Sequence, residues 1–233
     1  MSYDSEALLK VLARFARLLP TEYDVPTALD ELVDGVATVL DLAGAGVSLY
    51  TDGQLRFVTA PNEAIAAIER CQEATQQGPC MGAFDSGLPF PVTDLAEHAE
   101  RWPDYTAVAA EHKIVSAAGI PMHLGEPVGV VNLYDVTQRE WKPAELEAAR
   151  VLADIATGYV VNADKRRQQQ QLMEQLQHAL KSRVVIEQAK GVIATTHRIT
   201  TDEAFETIRR YARQNQLRLH AVAAAIVDAG LRL

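Results

Sequence analysis

The sequence predicts an α+β N-terminal domain, with an antiparallel sheet flanked by helices. A long coiled-coil linker helix then leads to a C-terminal all-α three-helix bundle. Three observations carry this prediction. Helical apolar stripes and short β-like runs alternate over residues 1–142. A stretch from Pro143 to Gly191 contains no further proline and only Gly158 as an interior glycine. Three amphipathic segments follow Leu180. The expected divisions are therefore an α+β domain at 1–142, a linker helix at 143–180 and a bundle at 181–233.

Taken in order, Asp4 to Leu19 places Leu8, Leu9, Leu12, Phe15, Ala16 and Leu19 at helical spacing, and Pro20 should end the helix. Val25 to Leu42 is a second helix, opened by Pro26 and striped by Leu29, Leu32, Val33, Val36, Val39 and Leu40. Gly44 and Gly46 break that pattern. Val47–Tyr50 and Leu55–Val58, around Asp52-Gly53, form a hairpin. Glu63 to Gln76 is helical, and Gly78 to Gly87 reads as a loop. Pro91-Val-Thr is a candidate short strand. Glu97 to Lys113 is a helix that Pro103 must kink or split. Two more strands, Ala117–Leu124 and Val128–Tyr134, flank a turn at Gly125-Glu-Pro. A concave face between such a sheet and its loops is a common seat for a small ligand.

Cys80 has two readings: a chromophore-attaching or redox-sensing thiol, or a small buried hydrophobe. The nearest cations in sequence, Arg70 and Arg101, are distant, which favours the second. His123 reads as a structural histidine on its strand.

From Pro143 the helix should run roughly 70 Å at about 1.5 Å per residue, long enough to need a partner. Alternating steps of four and three give Ala148, Leu152, Ile155, Tyr159, Asn162, Arg166, Gln169, Met173, Leu176 and Leu180. This seam is apolar at both ends and polar in the middle. It suits a parallel two-stranded coiled coil with Asn162 setting register. The run Lys165-Arg-Arg-Gln-Gln-Gln-Gln171 is either a solvated helical linker or a basic patch, and its lack of interleaved aromatics favours the linker.

Beyond Leu180 the linker helix continues to about Ile193, with Val185, Ile186, Ala189, Val192 and Ile193 turned inward. Arg183, Glu187 and Lys190 share a polar side. Gly191 costs about 1 kcal/mol in a helix, which a close approach by another backbone would explain. Thr200-Thr-Asp-Glu203 has capping-box spacing. Ala204, Phe205, Ile208, Tyr211 and Ala212 face inward in the second helix, while Asp202, Glu206, Arg209 and Arg213 face outward with Arg210 beside them. Leu219, Val222, Ala223, Ile226 and Val227 mark a third helix ended by Gly230.

Composition excludes several function classes. Hydrophobic residues make up 48% and charged residues 23%, ordinary globular values. No apolar run reaches the roughly 18 residues of a membrane span, and the N-terminus has no secretory pattern. Two cysteines, Cys71 and Cys80, suit a reducing cytoplasm, the expected location. The net charge of −9 is uneven: residues 172–233 hold nine Lys/Arg against six Asp/Glu, and residues 1–171 hold thirteen against twenty-five. That imbalance suggests a polyanion contact at the C-terminal end, although +3 over sixty-two residues is also normal scatter, and charge alone favours the second reading. No P-loop, dinucleotide glycine motif, HExxH or metal-spaced Cys/His set occurs, so no enzyme activity, cofactor or metal is expected.

Two family resemblances sharpen this reading. Gly78-Pro-Cys-Met-Gly-Ala-Phe84, Val92-Thr-Asp-Leu95, Arg101-Trp-Pro103, Ser116, Pro121-Met-His-Leu124 and Val128-Gly-Val-Val-Asn-Leu-Tyr134 resemble a GAF domain of the type found in actinobacterial regulators. That resemblance covers about residues 1–160 and implies small-molecule sensing or dimerisation. Ser182-Arg-Val-Val-Ile-Glu-Gln-Ala-Lys-Gly-Val-Ile193, Asp202-Glu-Ala-Phe205, Ile208-Arg-Arg-Tyr-Ala212 and Leu219-His-Ala-Val-Ala223 resemble an ANTAR domain over nearly all of 172–233. Ala194-Thr-Thr and Ala221 depart from the usual pattern there. The resemblance implies a homodimer that binds paired RNA hairpins in a nascent transcript and keeps a terminator from forming. Its RNA-binding residues are expected to be Arg183, Gln188, Lys190, Gly191, Arg209, Tyr211 and Arg213. Lys and Arg suit phosphates, Gln suits a base edge and Tyr suits an unpaired base. The alternatives are a DNA-binding regulator with a helix in the major groove, or a GAF dimerisation scaffold without a ligand.

Overall fold

The computed structural model describes residues 3–18 and 24–233, with the side chains of Leu18, His178 and Ala179 outside that description. The expected helix end at Leu19 and Pro20 falls outside the described residues. Contacts divide the chain into two compact units, Met1–Lys165 and Arg166–Leu233.

The first unit is built on a five-stranded antiparallel sheet. Its strands are β1 (Gly44–Thr51), β2 (Gln54–Thr59), β3 (Phe90–Val92), β4 (Ser116–Leu124) and β5 (Glu126–Asp135), in the order β2-β1-β5-β4-β3. The two hairpins follow the sequence signals, and β5 at the centre joins them. The helical pattern ends before Gly44 and Gly46, as expected: α2 stops at Leu40, and both glycines lie inside β1. A Cβ on Gly46 would land on the Glu69 carboxylate, so glycine is required by a close neighbour rather than by a turn.

Three helices cover one face of the sheet: α1 (Ser5–Leu18), α2 (Val25–Leu40) and the first part of α6 (Pro143–His197). Phe15, Leu29, Leu32, Val36 and Leu152 pack there against Val47, Ile120, Met122, Val131 and Leu133. Tyr159 donates from its hydroxyl to the Phe15 carbonyl across this layer. The other face carries α3 (Glu63–Thr75), α4 (Pro79–Ser86) and α5 (Pro103–Glu111). Tyr105, Ile65, Ile68 and Tyr134 form its core, and Cys80 packs with Ala83, Leu55 and Val130.

Local chemistry explains each boundary. Asp24 caps α2 by accepting from Thr27 N at 3.1 Å, and Asn62 caps α3 by accepting from Ile65 N at 3.0 Å. The stretch expected as a loop at Gly78–Gly87 is instead helical over Pro79–Ser86. Gly78 enters it at φ 119°, Pro79 sits in its first turn and Gly87 closes it at φ 66°. Pro103 splits the expected Glu97–Lys113 helix into a 3₁₀ turn at Leu95–His98 and α5. His123 is exposed, where β4 passes its register shift at Met122/His123 and leaves the buried layer.

The second unit combines the last part of α6 with α7 (Thr201–Gln214) and α8 (Leu219–Ala229). Ala189, Ile193, Ala204, Ile208, Ala212, Val222, Ala223 and Ile226 form its core. The linker helix runs on to His197, past the expected end near Ile193. Thr200 and Glu203 make the full capping box, and Gly230 ends α8 at φ 68°. Val192 is exposed, so the inward stripe is narrower than its apolar residues suggest. No described helix is long and apolar enough to cross a membrane.

The expected coiled-coil seam is corrected at its start. Ala148, Leu152 and Tyr159 are buried in the sheet-facing core of their own chain, so they are not free to pair. Farther along α6, Leu172, Met173, Leu176 and Leu180 remain exposed apolar residues, at 53–64%.

Candidate functional site

Two groups of polar residues stand out, one displayed and one hidden. The displayed group lies on the C-terminal unit. Arg183 and Gln188 are exposed on α6, and Arg209 and Arg213 are exposed on α7. Lys190 is half-buried: its Nζ pairs with Glu187 at 2.9 Å and lies 5.8 Å from the Phe205 ring centroid. That contact between α6 and α7 aims the lysine, with its stem covered and its ammonium still reachable. Arg209 pairs with Glu206 at 3.2 Å, an exposed pair worth little to stability and easily exchanged for a phosphate.

Glu206, Arg209, Arg210, Arg213 and Gln214 line one shallow depression on α7. Arg210 belongs to it although the sequence reading left it out of the candidate set. Its signal was present, since Arg213 lies four residues after Arg209 and three after Arg210, spacings that share a helix side. Tyr211 is half-buried against the bundle core, which leaves only an edge for contact. Gly191 is exposed, and an added Cβ there would meet nothing within 4 Å, so no backbone of the same unit explains this glycine.

The hidden group lies in the first unit, and the sequence reading missed it. Glu69 on α3 is fully buried. Its carboxylate accepts from Ser48 Oγ at 3.1 Å, from Asn132 Nδ2 at 3.0 Å and from Tyr134 Oη at 2.9 Å. Gln72 faces it as well, although Gln72 Nε2 is outside hydrogen-bonding geometry. Burial pushes the Glu69 carboxyl up to about 7, and the hydrogen bonds from Asn132, Tyr134 and Ser48 oppose that rise. The clue in the sequence was its place on the stripe Ile65, Ile68, Glu69, Gln72, where an apolar residue belongs.

Cys80 is 2% exposed, and burial pushes its thiol well up. Of its two readings, the buried hydrophobe is the one this environment matches.

Comparison with known families follows these two groups closely. A GAF domain model matches residues 24–160, more than half of the chain, and an ANTAR domain model matches residues 174–227. This is a GAF–ANTAR protein. The GAF part resembles the GAF domain of an Acinetobacter phosphoenolpyruvate-protein phosphotransferase, at 14% identity and a TM-score of 0.54, covering 70% of this chain and 97% of that one. It also resembles the GAF domain of the Coxiella burnetii phosphoenolpyruvate-protein phosphotransferase, at 14% identity and a TM-score of 0.53, covering 70% and 98%. A GAF domain/HD domain protein from Geobacter sulfurreducens aligns at 14% identity and a TM-score of 0.52, covering 62% and 97%. At such identities the likeness is one of fold. No curated protein matches the chain. The ANTAR domain implies RNA-binding antitermination regulation and the GAF domain a sensory role, and both are regulatory, non-catalytic types.

Proposed function

We propose that this GAF–ANTAR protein is a homodimeric antitermination regulator that binds paired hairpins in nascent mRNA under control of a signal at its GAF domain. The ANTAR match over 174–227 carries the reading, because it spans every candidate contact from Arg183 to Arg213. The residues proposed to meet RNA are Arg183, Gln188, Lys190, Gly191, Arg209, Tyr211 and Arg213. The functional divisions are 1–142 for sensing, 143–180 for linking, with pairing confined to its later, exposed part, and 181–233 for RNA.

Several physical features support this. Exposed arginines on α6 and α7 supply phosphate contacts, and exposed Gln188 supplies a base-edge donor and acceptor. Gly191 leaves open space in which a sugar-phosphate backbone can approach closely. The exposed apolar residues Leu172, Met173, Leu176 and Leu180 would be covered by a second copy. A DNA reading fits less well. The last helix, α8, buries Val222, Ala223 and Ile226 in its own core and presents no row of base-reading side chains.

The test is competition between a two-hairpin RNA and duplex DNA for the full chain. The RNA should win by a wide margin. Lys190→Ala and Arg183→Ala should each weaken RNA binding and reduce its salt slope by about 1. Equal affinity for both nucleic acids, or unchanged binding in both variants, would overturn the reading.

A further inference from the structure

We propose that the GAF domain holds a proton-binding site, the Glu69 carboxyl, whose state is read by β5 and passed to the start of α6 through Arg139. The inference concerns the input of the sensor alone. It holds whatever the output domain binds, so its test contains no nucleic acid.

The geometry begins with what surrounds Glu69. From β1 comes Ser48, from β5 come Asn132 and Tyr134, and from α3 itself comes Gln72. The titratable neighbours on α4, α5 and β5 are Cys80, Tyr105 and Tyr134, and each is pushed up first by burial and then by the Glu69 charge. The nearby arginines are engaged elsewhere: Arg56 of β2 pairs with Glu73 at 3.1 Å, and Arg70 of α3 pairs with Glu63. A fully buried carboxyl with three donors and no cation among its described partners is a group that exchanges a proton rather than holding a fixed charge.

The two protonation states need different hydrogen bonds. Ionised Glu69 accepts from all three donors, and Asn132 Oδ1 is then left without a partner. When Glu69 binds a proton, one carboxyl oxygen becomes a donor. Asn132 Oδ1 is the orphan acceptor beside it, and turning that amide over pairs the two. The proton therefore reorders a side chain in the middle of β5.

β5 continues from Asn132 through Tyr134 to Asp135. Asp135 Oδ2 accepts from Arg139 Nη1 at 2.7 Å, and Arg139 Nη2 donates to Glu145 Oε1 at 3.0 Å. The same Nη2 donates to the Leu40 carbonyl at 2.7 Å, tying in the end of α2. Glu145 Oε2 accepts from Lys142 N at 3.0 Å, so it also caps the first turn of α6. Among the described residues, Arg139 is thus the cation that joins the proton-reading strand to the output helix, through the buried carboxylates of Asp135 and Glu145.

The experiment follows the full-length protein by NMR, with glutamate carboxyl carbons and asparagine side-chain amides labelled, from about pH 5 to about pH 8. Glu69→Gln assigns the Glu69 signal. The expected result has three parts. The Glu69 carboxyl titrates well above the other glutamates, the Asn132 side-chain amide moves with the same midpoint, and the backbone amides of Leu146 and Glu147 move with them. In Arg139→Met the first two persist and the third is lost. Should that variant not fold, Glu145→Met removes the acceptor that Arg139 uses on α6 at similar side-chain length and should have the same effect. A Glu69 carboxyl that titrates with the exposed glutamates overturns the site. A shared Glu69–Asn132 midpoint without movement of the α6 amides overturns the coupling.

Discussion

Glu69 and Glu203 are the same residue type on helices of similar length, and the two halves of the molecule set them in opposite ways. Glu69 is sealed in the GAF core, and burial raises its carboxyl to about 7 despite three hydrogen bonds. Glu203 is exposed in the first turn of α7, and its hydrogen bonds with Thr200 lower its carboxyl, outweighing a smaller opposing desolvation. Desolvation wins in the first case because no cation is among the described partners of the carboxylate, and hydrogen bonding wins in the second because water still solvates the charge. The lesson concerns division of labour. The GAF unit can use a carboxyl as a variable, while the ANTAR unit uses one as a fixed part of its architecture.

Packing should break this contrast most severely. Gly46 leaves the space that the Glu69 carboxylate fills. Gly46→Ala forces that side chain out of its hydrogen bonds, at a cost of about 3 kcal/mol or more. Combined with Glu69→Ala, the added methyl group meets no carboxylate, and the double variant should be more stable than the sum of the singles. Denaturant unfolding of the four proteins measures the coupling. Strict additivity would show that Gly46 is there for some other reason.

Next in size is the pH dependence of the GAF unit. A carboxyl raised from 4.5 to about 7 binds more protons in the folded state than in the unfolded state between those values. Its contribution to stability is therefore full below about 4.5 and is lost as pH rises through about 7, a swing of about 3 kcal/mol. Glu69→Gln removes the ionisable group, so the variant should lose this downward slope and gain on the natural protein above neutrality. Parallel stability curves for the two proteins would mean that the folded carboxyl titrates normally.

These two regions also differ in how far the sequence disclosed them. The stripe of α2, the hairpin at Asp52-Gly53, the capping box at Thr200 and the stop at Gly230 were all legible, because each rests on residues within a turn or two of one another. The exposure of Arg183, Arg209 and Arg213 was legible from helical period alone, whereas that period set Gln188 between the core stripe and its far edge. Glu69 was not, because the partners that define it, Asn132 and Tyr134, are 63 and 65 residues away. Nor was α4, whose glycine-flanked eight residues look like a loop until Cys80 and Ala83 find the sheet. The early part of the α6 seam misled for a related reason. A heptad pattern records an apolar face without saying whether it meets a second chain or, as with Leu152, its own sheet.

The smallest effect is the mirror image of the pH result, and it tests whether the two carboxyls differ in sign. Thr200 Oγ1 accepts from Glu203 N at 3.2 Å, and Glu203 Oε2 accepts from Thr200 N at 2.8 Å. Thr200→Ala removes the first bond and should destabilise α7 by ~1 kcal/mol. It also removes the hydroxyl that donates to Glu203 Oε2 at 2.9 Å and helps hold that carboxyl low. A lowered carboxyl contributes stability above its unfolded value and loses it as pH falls. The deficit of Thr200→Ala should therefore shrink on acidification through the glutamate range, where the deficit of the natural protein against Glu69→Gln has already closed. Hydrogen exchange at the α7 amides reads the effect in the unit that contains it. A deficit that grows in acid would place Glu203 with Glu69, and the contrast between a hidden variable charge and a displayed fixed one would fail.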